Sequence, residues 1–493
     1  MKHVKSYLSL AAGALLPLAF APYCFWPLAM LCPAILLTTF TLHKSALHFV
    51  SFKLALWRGF LFGLGLFGVG ASWIYISIHT FGNTPALIAG IITALFVIIM
   101  ASFPALHVAM TTRFSPPFLW ISFPALGALL EWVRSWFLSG FPWLQLGQSQ
   151  TIGVLKGFAP IFGVYGVSFI ALLCGTLFFN FCRLRKWGSA FLLLGILLSG
   201  YLFTFLHWTL PFGPPLNVTL IQGNIPQETK WSADHIVPTV RTYIDMTQQS
   251  WHTPTSPAPL VFWPEGAIPL PLPSAQPFLN LISTLAKQQH TSIILGLPVA
   301  HAFSYYNAIV MVGQNHGIYY KRHLVPFGEY LPFSSLLKGL IGFFDIPMSD
   351  FIAGPHQQPL LKTENASMGT FICYEIAYSD LLYDTLQQHP DFLITLSNDT
   401  WFGESWASYQ HAQIAQFSAL MSGRYMILNA NSGLTAIFDD RGNRVEAIPL
   451  FVRDTLQGSF FRTKGYTPWD YYGDKPALLL AGLLLFLLWA FSK

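Results

Sequence analysis

The sequence predicts a multi-pass α-helical membrane domain joined to a layered α/β domain, and three observations carry that prediction. Of 493 residues, 53% are hydrophobic and only 10% charged, where soluble globular chains average about 25% charged. Eight apolar stretches approach the roughly 20 residues that cross a bilayer as helix. They lie near residues 7–22, 25–42, 57–77, 85–107, 117–133, 162–182, 188–208 and 476–492. Between the seventh and the eighth lies a more polar region in which short apolar runs alternate with amphipathic ones, as strands alternate with helices. A chain of this length holds more than one core. The expected division is residues 1–210 as a membrane domain with seven transmembrane helices, 211–470 as an extramembrane domain, and 471–493 as a last transmembrane helix.

The first two apolar stretches are separated only by the turn at Pro22–Cys24, so two spans and one re-entrant hairpin are both compatible with them. Lys2, Lys5 and the run Tyr7–Ala21 have the outline of a secretory signal, but Pro22 and Tyr23 lead straight into another apolar run. The reading adopted is a retained span, with a cleaved signal as the alternative. Orientation follows from the basic residues. Lys2, Lys5, Lys44, Lys53, Arg58, Arg113, Arg183, Arg185, Lys186 and Lys493 fall on one side, and only Arg134 and Lys156 on the other. By the positive-inside rule the 211–470 region faces outward. Residues 1–210 carry eleven Lys and Arg against the single acid Glu131, whereas 211–470 carry thirteen basic and nineteen acidic residues. No basic stripe with interleaved aromatics occurs in the acidic domain, so no nucleic-acid partner is expected.

Between the fifth and sixth stretches runs EWVRSWFLSGFPWLQLGQSQ, residues 131–150. Glu131 and Arg134 read as a neutralised pair near the bilayer edge, and Trp132, Trp136 and Trp143 as an aromatic belt. The competing reading is a loop that touches a lipid substrate, favoured by the polar tail Gln145–Gln150.

In the outer domain, strands are expected at Asn217–Gln222, Leu260–Trp263, Thr291–Leu297, Ala308–Gly313, Met368–Cys373, Phe392–Ser397, Met426–Ala430 and Leu434–Phe438. Helices are expected at His235–Gln249, Pro277–Gln289, Leu381–Gln388 and Tyr409–Met421. This alternation, with a hairpin at Phe438–Asn443, indicates a layered α/β domain. Within this domain no GxGxxG, GxxxxGK[ST] or GxSxG occurs, which removes the usual support for nucleotide binding and for a serine hydrolase.

Of five cysteines, Cys24, Cys32, Cys174 and Cys182 lie in or beside apolar stretches, and Cys373 stands alone in the outer domain. No disulfide framework is possible there. Cys373, in FICYEIAYSD, is either a buried filler or a nucleophile. Glu265, in VFWPEGA, is either a turn residue or a general base whose pKa is raised in an apolar pocket beside Trp263. Lys321, in KRHLVPFGE, is either a surface lysine or an ammonium that favours a thiolate and stabilises an oxyanion, with Glu329 placed by the motif to hold it. His323 reads as a hydrogen-bonded core residue before it reads as a base. The stretch NDTWFGES, Asn398–Ser405, follows a strand and is either a turn or a substrate-orienting segment, with Asn398 and Trp401 as its candidates. No HExxH and no Cys/His cluster is present, so no metal site is expected.

The segments NIPQETKW (Asn224–Trp231), WPE (Trp263–Glu265), YYKRHLVPFGEY ending at Tyr330, CYE (Cys373–Glu375) and SNDTWFG (Ser397–Gly403) together resemble the apolipoprotein N-acyltransferases of Gram-negative bacteria. The likeness extends over the whole chain, and the outer region resembles the carbon-nitrogen hydrolase, or nitrilase, superfamily. It implies an α/β nitrilase-like αββα sandwich on an eight-helix membrane domain. It further implies Glu265 as general base, Lys321 as oxyanion stabiliser and Cys373 as nucleophile. Trp231, Glu329, Tyr374 and Glu375 are implied as supporting or substrate-contacting residues, and GFPW at Gly140–Trp143 as a membrane-side loop. The chain departs from the family pattern before Gly423 and Arg424, where Ser418 and Met421 replace a basic and an acidic residue.

The implied reaction is a ping-pong acyl transfer, the last step of lipoprotein maturation. The Cys373 thiolate takes the sn-1 acyl chain of a phospholipid as a thioester, and the α-amine of an S-diacylglyceryl apolipoprotein cysteine then takes it as an amide. The implied partners are that donor, that acceptor and membrane lipids; no cofactor is needed, and no motif for ATP or CoA is present. The implied setting is the cell inner membrane, with the catalytic domain facing the periplasm, and a monomer is expected. Two rivals stay open: a membrane-anchored hydrolase that passes the acyl group to water, and a non-enzymatic lipid binder or transporter. The apolar run at residues 330–347 is expected to be a mobile lid that dips into lipid, with Gly339 and Gly342 as flexible points.

Overall fold

In the computed structural model, residues 2–43, 47–252, 258–330 and 351–491 are described. Apart from Tyr330, the expected lid lies outside them. The chain separates into two compact units, one formed by Met1–His79, Pro85–Trp208 and Tyr466–Lys493, the other by Thr80–Thr84 and Thr209–Gly465.

In the first unit each apolar stretch is helical: α1 Lys2–Leu15, α2 Leu28–Phe40, α3 Phe52–Gly70, α4 Ala86–Thr111, α5 Leu119–Trp136, α6 Ala159–Leu184, α7 Trp187–Phe203 and, at the end of the chain, α12 Lys475–Ala490. The segments Phe52–Gly70, Ala86–Thr111, Pro116–Ser139 and Val154–Leu184 are long and apolar enough to cross a membrane; Leu28–Phe40, Trp187–Phe203 and Lys475–Ala490 are shorter apolar helices. The loop after α5 is folded into this unit by two charged side chains. Arg134 donates from Nη1 to the carbonyls of Phe141 (2.7 Å) and Trp143 (2.6 Å), and Glu131 Oε1 accepts the Leu146 N–H at 2.9 Å. Glu131 and Arg134 thus each engage loop backbone, satisfying groups that would otherwise be orphaned in an apolar setting. Trp132 and Trp136 are exposed, as a belt requires, but Trp143 is only 1% exposed and packs against Trp73 and Phe141. The polar tail Gln145–Gln150 is buried with it.

The second unit contains two six-stranded sheets. Its strands are β1 Thr209–Gln222, β2 Leu260–Phe262, β3 Ser292–His301, β4 Ser304–Gly313, β5 Gly317–Tyr320, β6 Leu361–Lys362, β7 Ser367–Ile372, β8 Phe392–Ser397, β9 Met426–Ala430, β10 Thr435–Phe438, β11 Arg444–Ile448 and β12 Asp454–Gly465. One sheet has the order β12-β1-β2-β3-β4-β5 and the other β11-β10-β9-β8-β7-β6. Strands β1, β2 and β3 run parallel, as do β7, β8 and β9, so the carboxyl ends of each trio lie on one edge of its sheet.

The period-2 alternation of strands sorts their side chains into two cores. Val218, Leu220, Leu260, Phe262, Ile294, Ile309 and Met311 meet Met368, Ile372, Phe392, Ile394, Leu396 and Ile427 between the sheets. The intervening Ile221, Val261, Trp263, Ile293 and Leu295 face outward, where Val240 and Tyr243 of α8 (Ala233–Ser250) and Leu279 and Ile282 of α9 (Leu272–Gln288) cover them. Helices α10 (Ser379–Leu386) and α11 (Ala407–Ser422) pack on the second sheet. The result is an αββα sandwich. All eight expected strands and four expected helices of this domain are present; the four strands not anticipated, β5, β6, β11 and β12, are the four sheet edges.

Gly296 in β3 ties this framework to the turn after β2. Its N–H donates to Pro264 O and its carbonyl accepts the Ile268 N–H, both at 3.2 Å. A Cβ on Gly296 would lie 2.5 Å from Gly266 N and 2.6 Å from Glu265 Cα. Gly296→Ala is therefore expected to loosen the 264–268 turn and leave the sheets intact. Hydrogen exchange at the Ile268 amide should accelerate roughly tenfold or more while β8 amides stay protected; equal acceleration in β8 would mean global destabilisation instead.

Candidate active site

The site is built at strand ends. Beyond β2, Trp263 points outward, stacking on Tyr243 and donating its indole N–H to Thr247 at 2.9 Å. Glu265 turns the other way, so the expected aromatic pocket beside Trp263 is replaced by polar surroundings. Glu265 Oε1 accepts from Asn307 Nδ2 at 2.7 Å, and Oε2 accepts the backbone N–H of Asn398 at 2.8 Å. The turn itself is held from below by the buried Lys230, whose ammonium donates to the Glu265 carbonyl at 3.1 Å. Burial pulls that ammonium down to about 8, against the opposing pull of Glu265.

Lys321 follows β5 and is 1% exposed. Its Nζ lies 2.9 Å from Glu329 Oε1 and 3.7 Å from Glu265 Oε1. Asn307, one strand over, gives one amide hydrogen to each carboxylate, reaching Glu329 Oε1 at 2.8 Å. Glu329 Oε2 accepts the Val325 N–H at 2.8 Å, which fixes its own loop. Burial opposes the charge of Lys321, but Glu329, Glu265 and Cys373 outweigh it and hold the ammonium above its ordinary value. Lys321 is thus a permanent cation.

Cys373 opens the 3₁₀ turn Cys373–Ala377 immediately after β7, with φ +52°. The left-handed region costs a non-glycine residue roughly 1–2 kcal/mol, so the surroundings must enforce it. Glu375 does so. Fully buried, it accepts from Ile372 N (2.7 Å), Arg322 N (2.5 Å), His323 N (3.2 Å) and the Tyr319 hydroxyl (3.0 Å). One carboxylate therefore fastens the cysteine turn to the lysine loop. The Cys373 sulfur interacts with Glu265 and Lys321 from one sheet and with Ser397 and Asp399 from the other. Desolvation pushes the thiol above its ordinary value, Glu265 adds to the rise, and Lys321 opposes it. At neutral pH the group is a thiol that needs a base, and a carboxylate stands beside it.

Asn398 contributes backbone N–H to Glu265 while its side chain is tied to Gln227, Thr400 and Asn431. Tyr374 is half-buried, edge-on to Tyr378 with ring centroids 5.1 Å apart. His323 packs its ring 3.8 Å from that of Tyr378. Trp231 is half-buried near the turn at Gly266, and Trp401 sets its ring 6.0 Å from Phe81. The unit thus gathers Glu265, Lys321, Cys373, Glu329, Glu375 and Asn398 directly, with Trp231, Tyr374 and Trp401 around them. Trp143 belongs to the helical unit. Ser418 and Met421 are buried in α11, where Ser418 donates to the Ile414 carbonyl.

Two family models match the chain: apolipoprotein N-acyltransferase N-terminal domain over residues 12–177, and carbon-nitrogen hydrolase over 217–460. The apolipoprotein N-acyltransferase of Pseudomonas syringae pv. tomato is 41% identical, the match covering 97% of this chain and 95% of that one. The chain belongs to the apolipoprotein N-acyltransferase family. Similar enzymes of the same name occur in Azotobacter vinelandii (40% identity, 99% of this chain and 94% of that one) and Coxiella burnetii (38%, 98% and 100%). This apolipoprotein N-acyltransferase family member is accordingly an enzyme with a multi-pass membrane domain and a nitrilase-like catalytic domain.

Three residues that hydrogen-bond to Glu265 or Cys373 were not singled out from the sequence: Asn307, Lys230 and His411. Asn307 interrupts the apolar strand SYYNAIVMVG, and a buried amide there signals a required partner. Lys230 sits inside the quoted NIPQETKW, masked by its neighbour Trp231. His411 lies in a helix with nearly every side chain buried, which hides any periodicity.

The opposing effects of Glu265 and Lys321 on the thiol give a signed test. With exposed Cys182 replaced by Ser, alkylation of Cys373 followed against pH should show a midpoint above the ordinary thiol value. Glu265→Gln should move it to lower pH and Lys321→Met to higher pH; shifts of one sign would contradict the geometry. Glu375→Ala should lower stability by about 3–5 kcal/mol, the range for breaking a buried charged network, read as a large fall in Tm in detergent.

Proposed function

We propose that this enzyme transfers the sn-1 acyl chain of a phospholipid, through a thioester on Cys373, to the α-amine of the S-diacylglyceryl cysteine of an apolipoprotein, in ping-pong fashion. The observation that carries the reading is the convergence on the Cys373 sulfur of a carboxylate, Glu265, and a buried permanent cation, Lys321. In the first half-reaction Glu265 takes the thiol proton and sulfur attacks the ester carbonyl. Lys321 faces the negative charge that develops, and its attraction to an oxyanion is strong because both are screened from water. Collapse of the adduct expels the lysophospholipid alkoxide, which takes the proton from Glu265. In the second half-reaction Glu265 accepts a proton from the attacking amine, the thiolate leaves, and the amide is formed.

Within this reading Glu329 and Asn307 are positioning residues: Glu329 holds the Lys321 ammonium, and Asn307 holds both carboxylates in place. Glu375 and Asn398 position the cysteine turn and the base, and Trp231, Tyr374 and Trp401 offer rings to the substrates. Trp143 acts through the loop it anchors. An acyl donor that is itself a membrane lipid accounts for a catalytic domain carried on apolar helices. Seven apolar stretches before the domain and one after, with the basic residues on the other side, support a periplasmic setting for that domain at the inner membrane.

Intact-mass spectrometry tests the reading. After incubation with phospholipid the protein should gain one acyl mass, Cys373→Ala none, and a diacylglyceryl lipopeptide should discharge the adduct within seconds to minutes. Rapid discharge by water alone would make it a hydrolase, and no adduct would make it a lipid binder. Glu265→Gln should slow adduct formation about 10²–10⁴-fold, the usual contribution of a general base.

A further inference from the structure

The mechanism leaves unused a buried set of groups on the far side of Cys373. Ser397, at the end of β8, donates its hydroxyl to Asp399 Oδ1 at 2.5 Å and faces the Cys373 thiol, whose ionised form it favours. Asp399 Oδ1 lies 3.0 Å from His411 Nδ1, and His411 Nε2 lies 3.1 Å from the carbonyl oxygen of Cys373 itself. The three side chains are 0%, 1% and 1% exposed. They close a ring that leaves Cys373 by its sulfur and returns by its backbone.

Counting hydrogens decides the protonation of the ring. Both imidazole nitrogens face oxygen acceptors, a carboxylate and a carbonyl, so both carry hydrogen and His411 is an imidazolium. The other oxygen of Asp399, Oδ2, is buried without a hydrogen-bond partner, and Gly433 approaches it so closely that a Cβ there would lie 2.3 Å away. Asp399 therefore depends on Oδ1 and its two donors. Ser397, however, has one hydrogen. While Cys373 is a thiol, S–H can donate to the Ser397 oxygen and Ser397 to Asp399. Once sulfur is a thiolate it needs a donor, and the Ser397 hydrogen is the one within reach.

We propose that Ser397, Asp399 and His411 form a positioning relay: when the Cys373 thiolate forms, the Ser397 hydroxyl turns from Asp399 to the sulfur, and the His411 imidazolium keeps Asp399 compensated and the Cys373 carbonyl fixed. The proposal rests on Cys373 being the nucleophile. No proton is created or lost in the turn: the thiol proton goes to Glu265, Ser397 keeps its own, and His411 keeps both.

His411 faces the charge of Asp399 from the turn Asp399–Phe402 and of Glu265, and the neutral carbonyl of Cys373. Burial works against the imidazolium, but these acceptors outweigh it and raise its pKa. Its contribution is therefore complete below the ordinary histidine value and is lost as pH rises through the raised one.

The test combines three single variants and one double variant, each checked by thermal unfolding, in the Cys182→Ser background. Ser397→Ala should move the alkylation midpoint of Cys373 to higher pH, and Asp399→Asn to lower pH. His411→Gln should raise the midpoint, lower the rate of acyl-adduct formation at least tenfold at unchanged KM for phospholipid, and remove the alkaline limb of the wild-type profile. In Asp399→Asn/His411→Gln the anion that needed compensation is gone, so the adduct rate should recover relative to His411→Gln. A double variant slower than His411→Gln, with the midpoint unmoved in all four, would overturn the relay and leave His411 a core residue. Failure of wild type to form any adduct would instead remove Cys373 as the nucleophile.

Discussion

Lys321 sets one positive charge, sealed from water, against the two carboxylates of Glu265 and Glu329, and this uneven pairing governs what its neighbours must do. The other buried ammonium beside Glu265, that of Lys230, donates to its backbone carbonyl. Asn307 gives each carboxylate a hydrogen from a neutral amide, while the ammonium bonds Glu329 at 2.9 Å and stands 3.7 Å from Glu265. Removing one partner of such a network strands the others in a medium that cannot solvate them, a penalty of about 3–5 kcal/mol. The two carboxylates hold the Lys321 ammonium above its ordinary value. On the opposite sheet Glu375 performs the corresponding structural task with four donors and spends its charge on holding a left-handed cysteine in place.

What was legible in the sequence follows from burial. The strands found in advance, from Asn217–Gln222 to Leu434–Phe438, occupy the interiors of the two sheets, where both faces are covered and the apolar run is unbroken. The four that were missed are the edges. Arg444–Ile448 is exposed at four of its five positions, and Asp454–Gly465 mixes buried Leu456 and Phe460 with exposed Asp454 and Ser459. An edge strand is specified by its one neighbour's hydrogen bonds more than by its own side chains, and hydrogen bonding leaves no mark in composition. The membrane half was legible from the length and near-continuous apolarity of helices such as Ala86–Thr111 and Val154–Leu184.

The site was legible where a charged or nucleophilic residue closes an apolar run, as at Glu265, Lys321 and Cys373. It was not legible where a polar residue serves another residue through space. Asn307 matters because β4 lies beside β5, and His411 because α11 packs under the cysteine turn; neither adjacency is written in local spacing. The expected hydrophobic setting for Glu265 also failed on geometry, since the strand ends at Phe262 and the turn that follows carries Glu265 away from the outer face that Trp263 took.

The two sheets supply the reacting groups separately. Glu265 and Lys321 extend from one, Cys373 and Ser397 from the other, and the apolar layer between them is made of Leu260, Phe262 and Ile294 against Ile372, Ile394 and Leu396. Packed sheets hold a spacing of about 10 Å that depends on the volume of the side chains between them. That layer is therefore a spacer for the chemistry as well as a source of stability. A methylene added or removed within it alters the separation of base and nucleophile without touching either, and the aliphatic residues far beneath the site become determinants of its reach.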